Sequence, residues 1–231
     1  MSFTVTIQPS GHVFQIEDDE TILDAALRHG FALSYGCRNG ACGACLGRLL
    51  AGQVDYPNGP PRALDDAAIA AGKAVFCQAM AGSDLVIETR EISAVRDIVV
   101  KTLPVRVSRM QRVAHDVMLL RLKLPMSERL QFLAGQYVDI LMKDGRRRSF
   151  SLANAPHDDA ELELHVRHVP DGRFADHVFG DMQEKDLLRI EGPLGSFFLR
   201  EDSERPILLM AGGTGFAPIK AMLEHAFAAG I

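Results

Sequence analysis

The sequence predicts three fold classes in succession: a compact α+β unit, an all-β antiparallel barrel, and the opening strand and helix of an α/β unit. Three observations carry this expectation. All four cysteines lie before residue 78, in and around a Gly/Ala-rich stretch flanked by short alternating segments. From residue 103 to 191, β-patterned segments recur at short intervals with turn residues between them. After Arg205-Pro206 come a continuous apolar run, a glycine turn and a helical apolar periodicity.

Taken in order, Phe3, Val5 and Ile7 alternate with polar neighbours, the pattern of a half-buried strand. Pro9-Ser10-Gly11 turns the chain into a second strand over 12–16, making a hairpin. Thr21, three residues before Asp24, caps a helix over 22–29 that Gly30 terminates. Residues 35–47 are too small in side chain to build a core, and strands follow at 46–54 and 85–88. Residues 92–102 read as a connector. Strands are then expected over 103–110, 116–124, 137–142, 148–152, 161–169 and 187–191, with a short helix over 175–179. Last, 207–210 has the pattern of a buried strand, 212–215 is a tight turn, and Pro218 suits a helix N1 position. Ile219, Met222, Leu223 and Ala226 mark one face of that helix, and Gly230 its end. The expected organisation is therefore 1–92, a linker at 93–102, then 103–203 and 204–231.

Composition narrows the function classes. Apolar residues make up 47% of the 231, and charged residues 24%, so core material is ample. A net charge of −5 argues against a nucleic-acid partner. No apolar run approaches the roughly 18 residues that span a bilayer, and the first residues lack a charged n-region, so no membrane association is expected. A cytoplasmic, reducing location follows, where cysteines serve more often as metal ligands or catalysts than as disulfides.

Their spacing is then informative. Cys37, Cys42 and Cys45 are arranged C-x4-C-x2-C, and Cys77 follows alone, the plant-type [2Fe–2S] pattern. A zinc site more often pairs its ligands as C-x2-4-C twice, and disulfides do not suit an unsignalled chain of this size. Small residues between the first three cysteines let backbone N–H groups approach the cluster sulfurs. With Tyr35-Gly36-Cys37 and Phe76-Cys77-Gln78, residues 1–92 resemble the plant-type ferredoxins. That resemblance implies a β-grasp sheet packed on a helix.

A second ordered set lies downstream: Gly135-Gln136-Tyr137, Arg148-Ser149-Phe150-Ser151, Gly192-Pro193-Leu194-Gly195 and Gly212-Gly213-Thr214-Gly215. Together they resemble the ferredoxin–NADP reductase superfamily. The resemblance implies an antiparallel β-barrel that binds FAD, followed by the first βα unit of a Rossmann-like NAD(P) domain. It implies that Arg148 neutralises the FAD pyrophosphate, Phe150 lies against the isoalloxazine and Ser151 bonds near flavin N5, with Ser149 also among the cofactor-binding residues. His165, Val166 and Arg167 would line the ribityl and adenine side, and Gly172, Arg173, Phe174 and Ala175 would offer backbone N–H groups. Gly212, Gly213, Thr214 and Gly215 would approach the nicotinamide of NADH or NADPH, with Thr214 near the ring, at a helix N-terminus suited to phosphate. Ser151 and Thr214 are thus the residues expected at the reacting atoms. Phe150 departs from the family's frequent Tyr, and Asp171 and Ala175 from its Gly and Ser or Thr. His165 and His168 point to opposite sides of a strand, so a shared metal is not expected.

A complete dinucleotide domain needs several βαβ units, so the chain is expected to be C-terminally truncated. The family order ferredoxin, FAD barrel, NAD domain is that of bacterial oxygenase reductase components and CDP-6-deoxy-Δ3,4-glucoseen reductases. It implies electron flow from NAD(P)H through FAD and the cluster to an oxygenase or dehydratase component. The alternatives are an electron carrier without nicotinamide activity, or a flavin reductase with an appended ferredoxin domain.

Overall fold

The computed structural model describes residues 2–92 and 98–231. The chain divides into two compact units, Met1–Asp97 and Ile98–Ile231.

Unit one holds β1 (Phe3–Gln8), β2 (Val13–Ile16), α1 (Ile22–Arg28), β3 (Leu46–Ala51), β4 (Val54–Asp55), α2 (Asp66–Ala70), β5 (Lys73–Val75), β6 (Met80–Ala81) and β7 (Leu85–Glu88). Its main sheet runs β2-β1-β7-β3-β5, with β1 and β7 parallel. The alternation of β1 sends Val5 and Ile7 inward, where both are fully buried. The Thr21 hydroxyl accepts the Asp24 N–H at 3.1 Å, capping α1, and Gly30 takes a φ of +80° just past its end. Ile22, Leu23, Ala25 and Ala26 of this helix are buried.

The single strand expected over 46–54 is broken. Gly52 adopts a φ of +95°, and a Cβ there would stand 2.2 Å from the Asp84 carbonyl oxygen, so the ladder stops at Ala51 and restarts at Val54. The pieces α2, β5 and β6 were not anticipated. They are too short to show a periodicity.

Unit two holds β8 (Lys101–Ala114), β9 (Val117–Lys123), β10 (Tyr137–Leu141), β11 (Arg147–Ser151), β12 (Leu162–Arg167), α3 (Arg173–Phe179), β13 (Leu187–Leu194), a 3-10 turn at Gly213–Gly215, and α4 (Phe216–Ala229). Six strands form one antiparallel sheet in the order β11-β10-β13-β8-β9-β12, around a core that includes Val107, Leu120, Leu122, Val138, Leu164, Val166 and Ile190. The sheet is barrel-like but its ladder does not close. The edge strands meet at one bridge, Leu152 with Leu164. Just beyond it, Asn154 Oδ1 accepts the Glu163 N–H at 2.9 Å, so a side chain occupies the donor that a continuing strand would use.

Three further expectations are corrected. β8 begins at Lys101, inside the expected 93–102 linker, of which 93–97 lie outside the described residues. Residues 207–210 are not a strand, and Ile207, Leu208 and Met210 are exposed. An apolar run becomes a strand only beside a partner ladder, and the described residues offer none. Third, α4 starts at Phe216, so Pro218 is the third residue of its first turn rather than N1. It is tolerated because first-turn N–H groups have no intrahelical acceptor. The helix belongs to unit two through Ala134, Leu199, Ile219, Ala221 and Met222. Gly135 makes that approach possible, because a Cβ there would sit 2.3 Å from Met222 Cε.

Candidate functional site

The loop from Tyr35 to Cys45 is shaped by residues in the left-handed region: Arg38 at φ +56°, Gly40 at +75° and Gly43 at +71°. Gly40 has no alternative, since a Cβ there would stand 2.7 Å from Pro61 Cβ. The Gln78 side-chain amide donates to the carbonyls of Arg38 at 2.9 Å and Cys77 at 2.8 Å, clamping the loop to the segment of the fourth cysteine. Arg38 is ion-paired with Asp24, which ties the loop to α1. Sequence reasoning named Gln78 only as a neighbour of Cys77 and Asp24 only at the helix cap; their ties to the loop depend on contacts that the cysteine spacing does not encode.

All four thiols are free, so the disulfide reading fails. They meet in pairs. The N–H of Cys37 points at Cys42 Sγ and that of Cys42 at Cys37 Sγ, each at 3.4 Å, while Ala44 N–H reaches Cys42 Sγ at 3.5 Å. Cys45 and Cys77 are buried, and each thiol shifts the pKa of the other. Zinc would draw four ligands to one centre. Two thiol pairs instead suit a dinuclear cluster, which takes a pair at each iron.

The electrostatics agree. Burial raises the Cys37 pKa, but N–H groups from Asn39, Cys42 and Ala41 and the Cys42 side chain outweigh it and hold the thiol below its usual range. The Cys77 thiol donates to the Cys45 sulfur, which lowers Cys45 and raises Cys77. The Gly40 N–H works against that rise at Cys77. A metal would displace the shared proton. These residues fit a [2Fe–2S] cluster, with the Cys37–Cys42 end nearer solvent.

In unit two, three consecutive basic residues lead into β11, Arg146 just before it and Arg147 and Arg148 at its start. Arg146 bonds Asp144 at 2.8 Å through Nε, and Arg147 is ion-paired with Glu191. Arg148 is exposed, and among the described residues its guanidinium bonds only the Arg147 carbonyl, at 2.9 Å. Ser149 donates to Asp139 at 2.5 Å, which commits its hydroxyl inward. The Phe150 ring meets Phe174 at 5.2 Å between centroids, so the fold brings β11 beside the start of α3. Arg173 reaches Asp144 at 3.4 Å from the same helix end. Asp171 takes a φ of +63°, which explains why glycine suits that position; aspartate tolerates it better than most residues.

Not every expected residue is placed alike. Val166 is fully buried, so only its backbone can face a ligand, and Phe174 and Ala175 are also buried. His165 Nε2 bonds Glu163 at 3.0 Å, while His168 Nε2 bonds Asp176 at 2.9 Å, so the two histidines are not brought together. Arg167 Nε bonds Asp116 at 2.8 Å. The Gln136 amide donates to the Gly195 carbonyl at 3.0 Å, joining the 135–137 and 192–195 segments beside Tyr137. Gly212, Gly213, Thr214 and Gly215 form the exposed approach to α4, with only Thr214 half-buried.

The two units thus define an iron–sulfur flavoprotein. Residues 5–82 match the 2Fe-2S iron-sulfur cluster binding domain, and residues 104–199 match the oxidoreductase FAD-binding domain. The chain belongs to the family of reductases built from these two modules. It is 41% identical over 224 residues to the CDP-6-deoxy-L-threo-D-glycero-4-hexulose-3-dehydrase reductase of Yersinia pseudotuberculosis, covering 97% of this chain and 67% of that protein. It is 40% identical to reductase component 2 of the terephthalate 1,2-dioxygenase of Comamonas sp, covering 97% and 66%. Among solved structures, the Amycolatopsis reductase GcoB superposes with a TM-score of 0.81 at 34% identity, over 98% of this chain and 68% of its own. The chain spans about two thirds of the length of these relatives.

Proposed function

We propose that this protein is an NAD(P)H-dependent electron-transfer reductase that passes electrons through FAD and a [2Fe–2S] cluster to an oxygenase or dehydratase component. Bound FAD would accept a two-electron hydride and feed a cluster that carries electrons singly. The chain's own residues have separable tasks. Cys37, Cys42, Cys45 and Cys77 hold the cluster, and the N–H groups of residues 39–44 stabilise its negative charge. Arg148 neutralises the flavin phosphates, a charge-assisted task suited to a guanidinium without a carboxylate partner among the described residues. Phe150 and Ser151 face the flavin ring, while Ser149, committed to Asp139, steadies the strand. Residues 172–175 serve the flavin phosphates through their backbone. Backbone atoms of Val166, with His165 and Arg167 beside it, border the ribityl and adenine side. Gly212, Gly213, Thr214 and Gly215 receive the nicotinamide, with Thr214 nearest the ring.

On this reading, residues 1–92 are a β-grasp cluster domain, 103–203 the FAD barrel and 204–231 the start of a Rossmann-like nicotinamide domain. The location we propose is cytoplasmic; no helix among the described residues is long and apolar enough to cross a membrane. The pairing of the thiols supports the reading most directly. Anaerobic titration with NADH and NADPH, followed by visible absorption, tests it. Bleaching of both flavin and cluster is expected; bleaching by dithionite alone would make the chain an electron carrier.

A further inference from the structure

Strand β12 has two unlike faces. Leu162, Leu164 and Val166 fill the core, while Glu163, His165 and Arg167 line the other side. That second side is not left to water, for the Glu163 side chain is 2% exposed. Its carboxylate meets Arg121 Nη2 at 2.8 Å, from the directly opposing position on β9, and His165 Nε2 at 3.0 Å. It also meets Lys220 Nζ of α4 at 3.3 Å. Lys220 donates in addition to the Ala153 carbonyl at 3.0 Å and pairs with Glu224 at 2.8 Å, one turn on. Further along the same face, a Cβ at Gly213 would lie 3.6 Å from Arg167 Nη1.

Burying a carboxylate is costly, and ion pairs of this kind seldom improve on apolar packing. Their best-attested use is to fix the register of two elements. Here the two elements are distinctive. Ala153 lies just past Ser151 at the end of the flavin strand, and Lys220 lies just past the Gly212–Gly215 turn. The apolar contacts of Ile219, Ala221 and Met222 hold α4 against the barrel but permit sliding, because apolar attraction has no direction.

We infer that Glu163 and Lys220 form a positioning joint, which sets the glycine turn at a fixed offset from the strand end that carries Ser151. The inference rests on the flavin and nicotinamide reading above and deepens it. Lys220 is a positioning residue, touching neither cofactor. Its lever is geometry, since a misplacement of about 1 Å can cost on the order of 100-fold in rate.

The test uses the cofactor-loaded protein as wild type, Lys220→Met, Lys220→Arg and Glu163→Gln. Amide hydrogen exchange is measured over residues 212–223 without nucleotide, and flavin reduction by NADH and NADPH is followed by anaerobic stopped flow. Lys220→Met and Glu163→Gln should speed exchange there about tenfold or more, with residues 3–8 of unit one unchanged. They should slow flavin reduction by a similar factor, with flavin and cluster content intact, and Lys220→Arg should restore both. Unchanged exchange in Lys220→Met and Glu163→Gln overturns the joint whatever the kinetics. Faster exchange with an unchanged reduction rate overturns its positioning role. If neither nucleotide reduces the wild type, the functional reading fails, and with it the positioning role; the exchange result still decides whether the joint exists.

Discussion

Gly40 concentrates the demands of the cluster loop in one residue. Its φ of +75° costs an L side chain about 1–2 kcal/mol, and contact with Pro61 Cβ at 2.7 Å adds overpacking of about 1–3 kcal/mol. Gly40→Ala is therefore expected to displace the loop and leave the protein short of iron, read as iron per chain and visible absorption. Full iron content in that variant would refute the account. Arg148 makes the complementary case. Arg146 and Arg147 have acidic partners, so only Arg148 of the three is uncommitted to a carboxylate among the described residues. A charge-assisted hydrogen bond is worth about 1.5–3 kcal/mol, so Arg148→Ala should weaken FAD retention roughly 10- to 100-fold and leave the cluster spectrum unchanged. Equilibrium dialysis of flavin measures this. Arg147→Ala, by contrast, should act mainly through its pairing with Glu191.

Among elements, β12 links β9 to α4, and its Glu163 makes that link sensitive to acid. Burial raises the Glu163 pKa, but the His165 hydrogen bond and the charges of Lys220 and Arg121 outweigh it and hold the carboxyl below 4.5. A carboxylate with a lowered folded pKa adds stability above its unfolded pKa and loses it as pH falls through the folded value. Unit two should therefore lose stability as pH drops below about 4.5, and Glu163→Gln should flatten that decline. Urea midpoints monitored by flavin fluorescence across this range decide it. The elements also show where local pattern was informative. Thr21, Gly30 and the alternation of β1 carry their own physical signals, so α1 and the first hairpin were legible. Gly52 was not, because its role depends on Asp84, which lies distant in sequence and adjacent in space.

For the whole molecule, each unit has its own core, one around Val5, Ile7, Phe76 and Ile87, the other around Val107, Leu120, Val138 and Ile190. Cofactor loss should then be separable. Cys77→Ser is expected to remove the cluster and lower the unfolding temperature of unit one, while the flavin is retained and its release on heating is unshifted. Simultaneous loss of both cofactors would contradict this. The cysteine spacing, the Arg148–Ser151 segment and the glycine turn before α4 were determined by the sequence alone, because ligand chemistry and local backbone demands reside in neighbouring residues. Only the tertiary structure decided that the thiols meet as two pairs, that Arg148 escapes its acidic neighbours, that 207–210 forms no strand, and that Lys220 reaches Glu163. Each depends on groups brought together from distant parts of the chain, and such proximity is a property of packing that no local pattern encodes.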